Sequence, residues 1–211
     1  MSAAPCVVSV VEHAGWAHLV CVAMADHVPV VIERRRVTLL DEGLPRLPYH
    51  HDTVGMPEDE ANALIARVRR SIAERTSFEL RRVVTDLTPA HAIVALAIRK
   101  APFAELPETV AGVWRSYRLQ NAADGMMYQL AMCRTAHELG FEVFLYRRGE
   151  EAGRAAERLG VTPDDVQSFV TSAGRPPGPP WTQEHRQAFA AGILALAVHT
   201  RATLRIPRAD S

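Results

Sequence analysis

Residues 7–23 read VVSVVEHAGWAHLVCVA, two apolar runs around a short polar break. The first run, residues 6–12, is apolar and β-branched and predicts a buried strand. Ala14-Gly15 predicts a tight turn, and WAHLVCVA a second strand, antiparallel to the first across so short a connection. MADHVP predicts another turn. VVIERRRVTLL, apolar at its ends and polar in its middle, predicts a third strand and completes an N-terminal meander. The prolines and glycines of DEGLPRLPYHHDTVGMPEDE predict a loop. Beyond it, Ala61, Leu64, Ile65, Val68 and Ile72 recur at the spacing of one buried helical face. Arg67, Arg69, Arg70 and Arg75 fall off that stripe and read as a solvated face, with a phosphate-binding patch as the alternative. Phe78 to Leu87 continue the helical pattern until Pro89 stops it, so a helical segment over 57–88 separates strands three and four.

AIVALAI is apolar throughout and predicts a central strand covered on both faces. A long connection follows, with a short helix around Trp114. DGMMYQLAMCRTAHELG predicts a helix with Asp124 as its N-cap and Gly140 as its stop; Met126, Met127 and Met132 read as packing residues. FEVFLY predicts the fifth strand, and GEEAGRAAERLG and TPDDVQSFV two short helices. GRPPGPPW predicts a rigid loop in which Arg175 is an exposed arginine within reach of an anion. Trp181 anchors the start of a final helix capped by Thr182, with Phe189, Gly192, Ile193 and Leu196 on one side. The order β-β-β-α-β-α-β-α predicts an α/β fold: a five-stranded mixed sheet, three antiparallel strands then two parallel crossovers, with helices on both faces, in one domain over 1–211.

Composition narrows the class. A chain of 211 residues with 48% hydrophobic and 23% charged side chains can bury a substantial core. Lys+Arg and Asp+Glu balance at 24 each, which argues against a dedicated non-specific nucleic-acid binder and leaves room for a local basic patch. Cys6, Cys21 and Cys133 have no metal-site spacing and read as reduced thiols. With no secretory pattern, and with AFAAGILALAV too short to span a bilayer, the expected location is the cytoplasm and no membrane partner is expected. Walker, GxGxxG, nucleophile-elbow and HExxH motifs are missing, which disfavours nucleotide-fold oxidoreductases and serine hydrolases.

The element order and the residues at its joints resemble the ribonuclease H-like superfamily, and within it the RuvC-type Holliday-junction resolvases. VVSVVEHAGWAHLVCV is similar to that family's first strand, acid and Gly-aromatic pair; AIVALAIRKAPF to its fourth strand; CRTAHELGFEVFLYRRGEEAGRAAERLGVTPDDVQSFV to its helix, fifth strand and helical hairpin; and WTQEHRQAFAAGILALAVH to its last helix. The resemblance covers about residues 5 to 200 and implies a two-metal nuclease. Its acidic positions are only partly kept here. Glu12 stands for the first aspartate, Arg99 or Lys100 for the second acid, and Glu184 and Gln187 for the two acids of the last helix. Two divalent ions need several convergent carboxylates, and a guanidinium among them repels cations.

The same topology gathers the candidate site. Glu12 and His13 end strand one, His50, His51 and Asp52 lie after strand three, Arg99 ends strand four, and Glu184 and His185 open the last helix. Glu12 and Arg99 read either as a structural ion pair or as functional groups. His50 and His51 read either as exposed loop residues or as a base or ligand. His185 falls on the apolar stripe of its helix, and Glu184 complements the helix dipole without needing a function. Three expectations result. One is a divergent scaffold without two-metal nuclease activity that binds a structured nucleic acid or a protein partner. Another is a hydrolase of a phosphodiester or related anion, with Glu12, His50 or His51, Arg99, Glu184 and His185 as its catalytic set and a single divalent metal on Glu12 and Asp52. The third is a homodimer built on the alanine-rich last helix.

Overall fold

The computed structural model describes residues 3–101, 105–173, 178–200 and 204–207. Arg175 lies outside the described residues. Strand β1 (Ala4–His13) pairs antiparallel with β2 (Trp16–Ala25), and β2 pairs antiparallel with β3 (Val28–Thr38). Strand β4 (His91–Arg99) runs parallel beside β1, and β5 (Glu142–Tyr146) runs parallel beside β4. The sheet order is β3-β2-β1-β4-β5. The mixed five-stranded sheet expected from the sequence is therefore present. The first hairpin closes through Gly15, whose φ of 89° is costly for any residue with a Cβ. Asp26 and His27, both at positive φ, make the two-residue turn between β2 and β3.

Strand alternation divides the core into two layers. Cys6, Val8 and Val10 pack with the layer containing α1 (Glu58–Leu87) and α3 (Tyr117–Glu138). Val7 and Val11 pack with α4 (Glu151–Leu159), α5 (Pro163–Ser172) and α6 (Gln183–His199). Helix α1 runs unbroken through the stretch 57–88, because Thr76, Leu80, Val83 and Leu87 prolong the buried stripe of its first half. Two arginines of the face expected to be solvated are tied down: Arg69 donates to the Tyr49 hydroxyl at 2.7 Å, and Arg75 to Asp41 at 2.6 Å. A short helix, α2 (Val110–Trp114), lies where one was expected.

The expected N-cap role of Asp124 is corrected. Helix α3 begins at Tyr117, so Asp124 is in its interior and fully buried. The residues before it, RLQNAA, are mostly good helix formers and extend the helix upstream. The expected loop over 41–60 also contains one π-helical turn, Pro48–Asp52. Among the described residues, no helix is long and apolar enough to cross a membrane.

Helix α6 sits close to β1 and β2 because Gly192 has no side chain. A Cβ there would overlap Val22 and come within 3.5 Å of the Ser9 Cβ. Val22 is itself buried and β-branched, with little freedom to move aside. Gly192→Ala is expected to lower unfolding stability by about 1–3 kcal/mol through overpacking, read from the urea midpoint at unchanged m-value. An unchanged or raised midpoint would mean that α6 has room to shift.

Candidate functional site

The carboxyl ends of the parallel strands β1, β4 and β5 lie at one edge of the sheet. There β1 ends in Glu12-His13, Arg99 closes β4 and is followed by Lys100, and Tyr146 closes β5 and is followed by Arg147-Arg148. Alternation sends Glu12 to the side of Val10, toward α3, and His13 to the side of Val11, toward α6. Arg99 Nη2 donates to Glu12 Oε1 at 3.0 Å. The Glu12 side chain is only 9% exposed and that of Arg99 33%, so the carboxylate of this pair lies largely out of water while the guanidinium is partly solvated. Its second oxygen, Oε2, is buried without a hydrogen-bond partner. The Gln129 amide donates to the Arg99 carbonyl. Tyr146 donates its hydroxyl to the Val10 carbonyl at 3.4 Å, and burial, reinforced by the Glu12 charge, pushes that phenol's pKa up.

On the α6 side, Glu184 meets two histidines. Its oxygens lie 2.8 Å from His13 Nε2 and 3.3 Å from His18 Nε2. His13 stacks on Trp16 at 4.0 Å between ring centroids, and the Arg36 guanidinium lies over the same indole at 4.3 Å. Burial lowers the His18 pKa against the pull of Glu184. His185 is 4% exposed, and its ring lies 4.2 Å from that of His18. Its Nδ1 accepts the Thr182 backbone N–H, while the Thr182 hydroxyl faces the His185 N–H, which makes a capping box. Burial, with the neighbouring His18 charge, drops the His185 pKa to about 4.

Asp124 organises a third element. Its two oxygens accept the backbone N–H groups of Tyr49 at 3.0 Å and His50 at 3.1 Å, fixing the Pro48–Asp52 turn to α3. Burial raises its pKa to about 7 against these two hydrogen bonds. In the anchored turn, His50 stacks on His51 at 4.0 Å and meets the Tyr117 ring edge-on at 4.4 Å. His51 and Asp52 are exposed.

Two clefts open at this edge. The smaller, roughly 350 Å³, brings together Glu12, His13, Arg99, Asp124, Arg148, Glu184 and Gln187. The larger, roughly 890 Å³, is lined by Arg99, Lys100, Arg118, Arg147 and Arg148, with Glu12 as the only acid among the described residues, and by Tyr117, Asn121 and Gln129. Of the residues expected to converge, Glu12, Arg99 and Glu184 share a cleft, whereas His50, His51, Asp52 and His185 line neither. Sequence reasoning missed Arg147 and Arg148. Their signal was their position just past a parallel strand, which ends at the same edge as β1 and β4. Tyr117 and Asp124 were missed because the start of α3 was placed too late.

This architecture is the RuvC-type ribonuclease H-like fold. The chain is similar to the RuvC structure of Thermus thermophilus, with 13% identity, a TM-score of 0.53, and coverage of 96% of this chain and 99% of that one. It is equally similar to T. thermophilus RuvC in complex with a Holliday junction substrate, at 14% identity, a TM-score of 0.53 and the same coverage. No family model and no curated protein sequence matches the chain.

The two divalent ions implied by the resemblance do not suit the residues present. One oxygen of Glu12 is held by a guanidinium, Arg99 or Lys100 stands where the resemblance implies the second carboxylate, Gln187 is neutral, and Glu184 faces His13 and His18. Among the described residues, no group of three or more His, Cys, Asp or Glu is arranged to hold a metal ion, and Glu12 and Asp52 form no such group.

Asp124 and His185 set opposite pH dependences. Folded Asp124 holds its proton up to about pH 7, whereas the unfolded residue loses it near the ordinary carboxylate value of 3.8, so stability from this group falls as pH rises between those values. Folded His185 takes a proton only near pH 4, against 6.5 unfolded, so its contribution is lost as pH falls through that window. Urea unfolding across pH 4–7 is expected to separate them. Relative to Asp124→Asn, the wild type loses stability with rising pH. Relative to His185→Gln, which keeps a capping-box side chain, it gains stability. Parallel pH profiles for wild type and both variants would contradict both assignments.

Proposed function

We propose that this protein is a divergent RuvC-type relative that binds the phosphate backbone of a structured nucleic acid at the carboxyl edge of its sheet, without two-metal nuclease chemistry. The Glu12–Arg99 ion pair carries this reading. It spans the strand ends where the resemblance implies metal-binding carboxylates. The adjoining cleft has five cationic side chains against one carboxylate, the charge balance suited to a polyanion. Arg147 is 71% exposed and lies 3.6 Å from Glu150, a surface pair that phosphate can displace. The similarity to T. thermophilus RuvC, a structure of which contains a Holliday junction substrate, supports choosing DNA, and branched DNA first, as the probe.

One observation favours a second reading, hydrolysis of a phosphodiester or related anion. The buried Oε2 of Glu12 has no partner and is available as a base, with Arg99 beside it to stabilise developing negative charge. His50, His51, Asp52 and His185 stand outside the cleft, so this version rests on Glu12, Arg99 and Glu184. It requires Glu12→Gln and Arg99→Ala to abolish cleavage of an activated phosphodiester while the variants stay folded.

Binding should be measured by fluorescence anisotropy with a labelled four-way junction and a duplex, with EDTA and with magnesium. The expected result is EDTA-insensitive binding, no cleavage, and at least a tenfold loss (on the order of 1.4 kcal/mol) in Arg147→Glu/Arg148→Glu. The slope of log K against log salt should shrink by about two in that variant. Magnesium-dependent cleavage, or full binding by the double variant, would overturn the proposal.

A further inference from the structure

The cleft has an aromatic wall that phosphate binding leaves unused. Tyr117, the first residue of α3, lines the larger cleft, yet it is 66% exposed. A tyrosine ring held open to water beside a cationic cleft has apolar area to bury and no internal partner for its outer face. It is not loosely placed. His50 packs against it edge-on at 4.4 Å and is itself stacked on His51 at 4.0 Å. The turn that carries both histidines is fixed to α3 by two backbone N–H bonds to the buried Asp124. The Tyr117 ring is thus buttressed on one side and open on the other.

Base stacking on aromatic rings beside a positive groove is the physical basis of single-stranded nucleic-acid binding, because every base has a π-face. The base faces of a duplex are already stacked and unavailable along its length. We infer that the cleft takes an unpaired strand, with a base stacked on Tyr117 and the flanking phosphates on Arg99, Lys100, Arg147 and Arg148. This rests on the proposed phosphate-binding function and specifies its substrate class. A base stacked on Tyr117 leaves the backbone within the cleft that these cations also line. Asn121 and Gln129 line the same cleft and supply polar groups for base edges. Asp124 acts at a distance as the positioning residue of this wall, through the histidine turn.

The test is anisotropy with labelled fifteen-residue oligomers: dT, rU, an abasic deoxyribose-phosphate strand, and a blunt duplex. The abasic strand keeps the phosphates and lacks the rings. The expected result is tighter binding of dT or rU than of either the abasic strand or the duplex. Tyr117→Ala is expected to weaken binding of the unpaired strand about 5- to 100-fold, with Tyr117→Phe near wild type and the abasic strand unaffected by either change. The dT and rU arms tell DNA from RNA. If abasic and dT strands bind equally, or Tyr117→Ala is neutral while Arg147→Glu/Arg148→Glu still abolishes binding, the stacking inference fails and the phosphate-binding proposal stands. If no oligomer binds while the four-way junction does, the stacking inference alone fails; if the junction is not bound either, both fail. Tyr117 is exposed, so its substitution leaves the core intact, and an unchanged melting curve checks this.

Discussion

The edge of this sheet is organised by one ion pair. A carboxylate at the end of a central strand, 9% exposed, is costly to bury unless an opposite charge meets it. Arg99 on the neighbouring parallel strand supplies that charge at 3.0 Å. Hydrogen bonds hold the backbone of both strands close by, from Tyr146 to the Val10 carbonyl and from Gln129 to the Arg99 carbonyl. The pair ties β1 to β4 at their ends, and it also settles the electrostatics of the cleft. Among the described residues, the one lining acid of the larger cleft is engaged by Arg99, and the other charged side chains of that lining are all cationic.

Strand alternation explains why three kinds of chemistry meet here without merging. Glu12 turns toward α3, and His13, one residue on, turns toward α6 and Glu184. Glu184 is thereby committed to His13 and His18, while Glu12 is committed to Arg99. Two carboxylates lining one cleft thus have their partners on opposite sides of the sheet. Close approach of α6 at Gly192 and the Thr182–His185 cap fix the start of that helix, and with it the position of Glu184. On the far wall, Asp124 performs the equivalent positioning for the histidine turn.

Much of this was legible in the chain. The β-branched runs, the two hairpin turns and the apolar AIVALAI dictated strand identity and the mixed sheet, and placed Glu12, Arg99 and Glu184 at one edge. Thr182 as cap and Gly192 on the packed side of the last helix were also readable. The start of α3 was not. Asp124-Gly125 carries a cap signature, but the buried aspartate takes its hydrogen bonds from a segment 75 residues away in sequence, which no local pattern records. With that boundary misplaced, Tyr117 looked like linker, and its contact with His50 was hidden. Arg147 and Arg148 follow β5 without any motif of their own, and the parallel arrangement of β5 with β4 puts them in one cleft with Arg99.

The most direct measurement of the central claim is a double-mutant cycle on Glu12→Gln and Arg99→Met, read by urea unfolding at low and high salt. A poorly solvated carboxylate paired with a guanidinium predicts that the two substitutions are non-additive by about 1 kcal/mol or more, with little attenuation by salt. Strict additivity would contradict the account, because the two charges would then not be stabilising one another across β1 and β4.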